Sequence, residues 1–215
     1  QSQVLPEIGY TFANGLRSIL RQDPDVIMIG EIRDSETADL AIHAALTGHI
    51  VLATLHTNNA AGVIPRLLDM GAESFLLPPS LSLMISQRLV RHLCPDCTTE
   101  IVANEMQTKI IDEALNSLPA DMKSSLTYTK PYKLYVSKGC QTCNYKGYLG
   151  RIGIFEALDM SPELSQIIYK KGDSQEIEAQ ARHQGMVTLR QDGVLKALGG
   201  LTTLEEVIKT TDSEN

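Results

Sequence analysis

The chain has 215 residues, 43% of them hydrophobic and 21% charged, which is typical of a soluble globular protein with a sizeable core. Its formal net charge of −7 argues against a dedicated nucleic-acid-binding protein, which normally carries a basic face. The longest apolar run, residues 50–55, has the length of a strand, whereas a membrane-spanning helix needs about 20 such residues. The chain starts in a polar stretch without Met and without signal-peptide features, so we expect a piece of a longer protein.

The first part of the chain predicts a helix followed by a strand–helix–strand unit. Thr11 is a suitable N-cap for the first helix, because apolar residues follow it at helical spacing. The unbroken apolar run 26–29 and the mainly apolar run 50–55 are typical of parallel strands that are buried on both faces. Between them, Asp34 or Ser35 caps an alanine-rich helix, and the short connections predict that the two strands pair in parallel.

Two more helices are predicted before the first cysteine. One spans about residues 59–70, and Pro65 is expected either to kink it or to shift its start. Pro78-Pro79 is predicted to break the chain after it. Ser80 then caps a helix whose apolar residues lie on one stripe. That stripe consists of Leu81, Ile85 and Leu89. On this helix Arg88 and Arg91 share one face, either as a plain surface pair or as contacts to a phosphate or acidic group of a neighbouring subunit.

The second half of the chain predicts mostly helices. A helix is expected near residues 104–117, and glycines alternating with apolar residues predict a short twisted hairpin over 147–155. The tail is predicted to be helical. One of its helices starts at Ser161, which is followed by proline, and another starts with a capping-box pattern at Thr203.

Four cysteines form two Cys-x-x-Cys pairs with none left over: Cys94 with Cys97 and Cys140 with Cys143. Without an export signal we expect a reducing compartment, in which this spacing indicates a metal site more often than disulfides. Two facing pairs can hold one Zn²⁺ in a tetrahedral site, and four thiolates leave no open position for catalysis. The sequence therefore predicts a structural zinc site, with two redox-active dithiols or disulfides as the alternative.

Polar residues follow both predicted parallel strands, at the sheet edge where ligands of parallel sheets bind. Glu31, placed after four apolar residues, can orient a water for attack on a γ-phosphate or act through magnesium. His56, after the next strand, can contact the same phosphate, and Arg33 can pair with a phosphate or a carboxylate. Acidic residues and histidines also occur at strand ends for purely structural reasons, so these positions alone leave both interpretations open.

Longer stretches around these residues resemble the GspE/PilB type of bacterial type II secretion and type IV pilus assembly ATPases. Residues 20–34, LRQDPDVIMIGEIRD, resemble the Walker B region of that family, and residues 47–58, TGHIVLATLHTN, resemble its His box. Residues 60–70 and 87–91 are also similar, so the resemblance covers essentially the whole chain. It implies a cytoplasmic homohexamer that hydrolyses ATP with Mg²⁺. The hexamer would associate peripherally with the inner membrane through a platform protein, without contacting nucleic acid.

The resemblance also implies roles for individual residues. Glu31 matches the catalytic glutamate of Walker B, and His56 matches the principal histidine of the His box. Contacts to the nucleotide or its metal ion are expected from Gly30, Arg33, His49 and Thr57. Members of the secretion and assembly branch carry a tetracysteine metal domain that pilus-retraction ATPases lack. The cysteines therefore favour assembly or secretion over retraction.

The sequence departs from the family in one respect, because it contains no Gly-x-x-x-x-Gly-Lys-Ser/Thr loop and no aspartate box. We therefore expect an α/β fold made of a truncated RecA-like P-loop ATPase core that lacks the Walker A half, over residues 1–93. A tetracysteine zinc-binding insertion is expected over 94–150 and a C-terminal helical domain over 151–215. On its own the fragment is expected to bind ATP negligibly and to be inactive.

Two other functions remain open from the sequence. The chain can act as a zinc-stabilised interaction module that docks on an inner-membrane platform protein, for which the missing phosphate loop is the main argument. Alternatively, the parent protein can be a related ATPase that transfers DNA. A salt-dependent DNA-binding titration separates the second case, because phosphate contacts weaken steeply with salt.

Overall fold

A computed structural model of the chain describes residues 5, 7 and 10–212, except for the side chain of residue 12. Most of the segment 1–10, in which no signal peptide is expected, therefore lies outside the described residues. The elements follow one another in this order: α1 (Phe12–Leu20), β1 (Val26–Ile29), α2 (Ser35–Leu46), β2 (Ile50–Ala53), α3 (Val63–Asp69), α4 (Leu77–Ser80), β3 (Leu83–Leu93), β4 (Thr98–Val102), α5 (Glu105–Asn116), α6 (Ala120–Ser125), β5 (Lys133–Ser137), β6 (Tyr148–Asp159), α7 (Pro162–Tyr169), α8 (Ser174–His183), α9 (Leu189–Leu198) and α10 (Leu204–Thr211).

The chain divides into two compact units. The first unit comprises Gln1–Met84 and Leu158–Ala181, and the second unit comprises Ile85–Ala157 and Arg182–Asn215. No helix among the described residues combines the length and the apolar character that a membrane span requires. The predicted division into domains over 1–93, 94–150 and 151–215 describes continuous sequence segments, whereas each compact unit combines two separate segments. That division therefore stays a prediction.

The strand–helix–strand unit predicted at the start of the chain is confirmed in the first unit. Strands β1 and β2 pair in parallel, with Val26 beside Ile50 and Ile29 beside Ala53, and α2 connects them. Asp34 caps α2, because its Oδ1 accepts a hydrogen bond from the Thr37 amide at 2.8 Å. The predicted cap of α1 at Thr11 is present as well.

The expectation that both parallel strands are buried on both faces is wrong for the described residues. Ile27 and Ile29 are buried, but Val26 is half-exposed and Met28 is 78% exposed. On β2, Ile50 and Leu52 are also exposed. A parallel sheet is buried on both faces only where other elements cover both faces, and in the described residues one face of this two-stranded sheet is open.

The two proline-containing segments have different outcomes. The expectation that Pro65 shifts the helix start is confirmed, because α3 starts at Val63 rather than near residue 59, which places Pro65 in the first turn, where a proline removes no helical hydrogen bond. Pro78-Pro79 was predicted to break the chain, and that is wrong, because both prolines lie in the short helix α4. A first-turn position again explains why prolines are tolerated there.

The helix predicted from Ser80 onward is also wrong, because Leu83–Leu93 forms strand β3. The buried side chains of β3 alternate with exposed ones, as Met84 and Ser86 show, while Ile85 and Leu89 of the supposed apolar stripe are exposed. Strand β3 pairs with β6, and this partner lies far along the chain. The local pattern fitted a helical period by chance, and the distant partner strand decided the structure.

Two further predictions fail for the same reason. The hairpin predicted over 147–155 is absent, because residues 148–155 belong to a single long strand, β6. Arg88 and Arg91 do not share a helical face either, since side chains an odd number of positions apart point to opposite faces of a strand.

A continuous hydrophobic core organises the second unit. The antiparallel pair of β4 and β5, with Thr98 opposite Ser137, packs with α5, α9 and α10. The buried residues of this core are Ile111, Ala114, Tyr132, Leu134, Val194, Ala197, Leu198, Leu204 and Val207.

The predicted helix starts at Ser161 and Thr203 are confirmed. The side-chain oxygens of these two residues accept hydrogen bonds from the amides of Leu164 and Glu206.

Candidate functional site

The parallel pairing of β1 and β2 brings Glu31 and His56 together at the edge where both strands end. Glu31 follows the last residue of β1 by two positions, and His56 follows the last residue of β2 by three. The Glu31 Oε2 atom lies 3.1 Å from His56 Nε2 and 2.6 Å from Arg33 Nε. Three side chains named from the sequence therefore form one cluster, called the strand-end cluster below.

The strand-end cluster favours an ionised carboxylate in an accessible position. Hydrogen bonds from Arg33 and then from His56 lower the pKa of Glu31 below its ordinary value of 4.5. The side chains of Arg33 and His56 are 68% and 80% exposed, so both can move toward a ligand. An ionised carboxylate can accept a hydrogen bond from water, and the two nitrogen-bearing groups can donate to phosphate oxygens.

The backbone beneath the cluster is held more firmly than its side chains. The Ile32 amide donates to the Thr54 carbonyl at 2.9 Å, and the Thr54 hydroxyl donates to the Gly30 carbonyl. Ile32 itself is buried. A Cβ added at Gly30 would meet no described atom within 4 Å, so the space beside this residue is open. These hydrogen bonds therefore fix the backbone of the loop after β1, which carries the Glu31 side chain.

The structure does not bring His49 and Thr57 into the same contacts. His49 immediately precedes β2, and its Nδ1 lies 3.0 Å from the Ala44 carbonyl oxygen. Roughly 20 Å of extended chain separates it from His56 beyond the other end of the strand. The Thr57 hydroxyl donates to the Asn59 carbonyl at 3.1 Å. Roles for His49 and Thr57 at a nucleotide therefore stay predictions.

The four cysteines converge within the second unit. Their Sγ atoms all lie within 4.8 Å of one another, and no disulfide joins them. The Cys94–Cys140 and Cys97–Cys143 sulfur pairs are 3.8 Å apart, and the Cys140–Cys143 pair is 3.9 Å apart. A tetrahedral ion with Zn–S bonds of about 2.3 Å requires sulfurs about 3.8 Å apart. The spacing therefore fits one tetrahedral metal ion and is far too long for disulfides.

The surroundings of the cysteines also suit thiolate ligands. The Cys140 and Gly147 amides donate to Cys143 Sγ at 3.1 and 3.2 Å, and such bonds lower the pKa of Cys143 to about 6. Burial has the opposite effect at Cys94 and raises its pKa to about 12. A thiolate at that buried position needs a nearby positive charge, which a divalent metal ion supplies.

Sequence reasoning missed a set of long-range contacts next to the cysteines. Arg91 Nη2 lies 2.6 Å from Glu206 Oε1, and the Arg91 amide donates to Glu206 Oε2 at 3.2 Å. The Arg91 guanidinium also lies 3.9 Å from the centre of the Tyr148 ring. The capping-box pattern suggested that Glu206 bonds to its own helix terminus. No local signal predicts a partner 115 positions away.

Comparison with known proteins places the whole chain in one family. The profile described as "Type II/IV secretion system protein" matches residues 1–209. The chain is 46% identical over 211 residues to the type II secretion system ATPase E of Vibrio cholerae, covering 98% of this chain and 39% of that protein. It is 44% identical over 211 residues to the type IV pilus assembly ATPase PilB of Myxococcus xanthus, covering 98% of this chain and 36% of that protein. The chain thus spans about two fifths of the length of these relatives.

Solved structures agree with this placement. The pilus retraction motor PilT, determined with bound ADP, aligns with a TM-score of 0.60 at 26% identity, covering 93% of this chain and 43% of that one. The ATPase DotB of Legionella pneumophila aligns with a TM-score of 0.58 at 23% identity, covering 92% of this chain and 41% of that one, and supports the fold alone. The chain therefore belongs to the type II/IV secretion system protein family, and its sequence is of the GspE/PilB type.

Proposed function

We propose that the chain is part of a motor that hydrolyses ATP to power type II secretion or type IV pilus assembly. The observation that carries the proposal is the strand-end cluster, in which parallel strands bring Glu31, Arg33 and His56 to one sheet edge. The level of identity to secretion and pilus assembly ATPases supports the same reaction. Because secretion and assembly relatives match almost equally well, the proposal covers both processes.

The first unit is, in this proposal, the second half of a RecA-like ATPase core. Glu31 accepts a hydrogen bond from the attacking water and positions it, and His56 contacts the γ-phosphate. Arg33 exchanges its contact with Glu31 for one with phosphate, as its exposure permits. Gly30, which has open space beside it, would contribute to holding the nucleotide and its Mg²⁺. Bound ATP with Mg²⁺ supplies the phosphoanhydride bond that is broken.

The 215 residues supply only one side of such a site. They contain no Gly-x-x-x-x-Gly-Lys-Ser/Thr sequence, so the backbone cradle for the β- and γ-phosphates is not among them. The isolated chain is therefore expected to show no ATP binding in calorimetry and no hydrolysis. An ATPase rate above background from these residues alone would contradict this assignment.

The four cysteines hold, in the proposal, one structural Zn²⁺ in the second unit. Four thiolates leave no open coordination position, so the ion stabilises the fold and takes no part in hydrolysis. The chain works as a homohexamer in the cytoplasm and docks on a platform protein of the inner membrane. Docking without hydrolysis is the second candidate function, and it is supported by the closed metal site in a unit with its own core.

The decisive experiment uses the complete gene product that contains this chain. Glu31→Gln and His56→Ala should each lower the steady-state ATPase rate by about 100-fold or more, because each removes a group that acts on the transition state. Glu36→Gln is the matched control, since Glu36 is an exposed glutamate of α2 that pairs with Arg17. Unchanged rates in Glu31→Gln would reject the catalytic role. Absence of hydrolysis in the unaltered protein, together with intact binding to the platform protein, would favour the docking function.

A further inference from the structure

The pairing of β4 with β5 places a hydroxyl group against the candidate metal site. In this register Ser137, the last residue of β5, lies opposite Thr98, the first residue of β4. Thr98 directly follows Cys97, so Ser137 is brought beside the second cysteine of the first pair. The distance between Ser137 Oγ and Cys97 Sγ is 2.8 Å.

The neighbours of Ser137 orient this hydroxyl. The Gly139 amide donates a hydrogen bond to Ser137 Oγ at 3.3 Å, which leaves the hydroxyl proton for the sulfur. On the other side, a Cβ at Gly147 would lie only 3.2 Å from Ser137 Cβ and Oγ. The glycine at 147 therefore leaves the space that Ser137 occupies, and its φ of +78° is one that other residues rarely adopt.

Each of the other three sulfurs receives at least one backbone hydrogen bond, and the Thr142 side chain adds one at Cys140. The amides of Cys140 and Gly147 donate to Cys143, and backbone hydrogen bonds reach Cys94 and Cys140 as well. At Cys97 the donor is a side chain. Four thiolates around a divalent ion leave a net charge of about −2, so each donor stabilises the loaded site by spreading that charge.

We propose that Ser137 is a positioning residue of the metal site, whose hydroxyl donates a hydrogen bond to the Cys97 thiolate and tunes the affinity of the site for its metal ion. This inference rests on the proposed metal site. Because the donor is a side chain, its removal leaves the backbone bonds to the other three cysteines in place. Outer-shell donors of this kind typically change metal affinity by about 10- to 100-fold.

The test replaces the bound ion with Co²⁺, whose thiolate-to-metal charge-transfer band reports on the hydrogen bonds to sulfur. The complete protein is titrated with Co²⁺ in competition with a chromophoric chelator, and the band is recorded at saturation. In Ser137→Ala we expect about tenfold weaker binding and a band at lower energy, since sulfur without a donor releases charge more easily. Ser137→Thr keeps the hydroxyl and should restore both values.

Thr99→Ala is the matched control, because Thr99 lies on the same strand pair and its hydroxyl contacts the Val136 carbonyl rather than a cysteine. It should leave affinity and band unchanged. If the unaltered protein binds no metal through its cysteines, the proposed metal site and this inference both fail. If it binds Co²⁺ and Ser137→Ala has the same affinity and band, only the role of Ser137 is rejected. Should Ser137→Ala fail to fold, a shifted band in Ser137→Thr rejects the role and an unshifted band supports it.

Discussion

The strand-end cluster and the tetracysteine cluster, formed by Cys94, Cys97, Cys140 and Cys143, differ in how exposed their polar groups are. At the strand ends, Arg33 and His56 are largely exposed, and both contact the same carboxylate oxygen, Oε2, of Glu31. At the cysteines, Cys94 and Cys143 are buried, and two backbone amides donate hydrogen bonds to the Cys143 sulfur. Groups that act on a changing substrate need freedom to exchange partners, whereas a structural metal site is most stable when it is closed.

Two arginine–glutamate pairs make the same contrast. Arg33 and Glu31 lie two positions apart in the loop after β1, with 2.6 Å between Nε and Oε2. Arg91 and Glu206 lie 115 positions apart at the same distance between Nη2 and Oε1, and Glu206 is nearly buried. The first pair costs little to break and can open for a ligand. The second joins β3 to α10, so its loss should weaken the second unit.

The largest effect is expected at the tetracysteine cluster. Cys143→Ser removes a ligand that also accepts two amide hydrogen bonds, so metal affinity should fall by more than about 100-fold, beyond the loss that outer-shell substitutions cause. Elemental analysis of the purified protein measures the metal content, and thermal unfolding measures the accompanying loss of stability. Thr99→Ala serves as the control again. Full metal content in Cys143→Ser would show that the site does not need four thiolates.

A glycine next to the second cysteine pair should give the next largest effect. Gly139 has a φ of +83°, and a Cβ there would lie 2.6 Å from the Tyr145 carbonyl oxygen. Gly139→Ala should therefore lower the free energy of unfolding by about 3 kcal/mol, from backbone strain and steric overlap together. Gly150→Ala separates the two causes, since Gly150 has a φ of +77° but open space around it. Chemical denaturation of both variants gives the comparison, and equal losses would exclude the steric contribution.

The long-range arginine–glutamate pair should have a smaller effect. Glu206→Gln keeps the shape of the side chain but removes its charge, which should lower the free energy of unfolding by about 1 kcal/mol at neutral pH. Glu205→Gln, on the exposed side of the same helical turn, should leave the stability unchanged. An equal response of the two variants would mean that the contact with Arg91 contributes nothing.

The pH dependence of the same pair has a definite sign. Hydrogen bonds from Arg91 hold the pKa of Glu206 below its ordinary value of 4.5. A carboxyl group whose pKa is lower in the folded state contributes its full stability when the pH is above the pKa of the unfolded state. This contribution disappears as the pH falls through the lower pKa of the folded state. The difference in stability between the unaltered protein and Glu206→Gln should therefore shrink below about pH 4.5. A difference that stays constant across that range would contradict the assignment.

The smallest effect on stability is expected at the strand-end cluster. Glu31→Gln should leave the unfolding midpoint unchanged, because its partners are exposed and water replaces their hydrogen bonds. The same variant should lose ATPase activity in the complete gene product. A clear drop in the unfolding midpoint would instead assign Glu31 a structural role and weaken its catalytic assignment.

The candidate sites were more predictable than the fold around them. The cysteines could be named from the sequence because two Cys-x-x-Cys pairs have few chemical uses, whereas Glu31 and His56 could be named only through the resemblance of residues 20–34 and 47–58 to family motifs. Strand β3 could not, because Leu81, Ile85 and Leu89 fit a helical stripe, whereas the buried residues of the strand alternate with exposed ones. Ser137 stood outside every pattern, since only the register of β4 and β5 brings it to Cys97.

The sequence by itself determined the helix starts at Thr11, Ser161 and Thr203, because caps act within three residues. It also named the four cysteines and the acidic and histidine residues after the two parallel strands as candidate site residues. Only the tertiary structure decided that β3 pairs with β6 and that Arg91 reaches Glu206. These choices depend on partners that are distant along the chain, and local propensities are too weak to select among such partners before the core has formed.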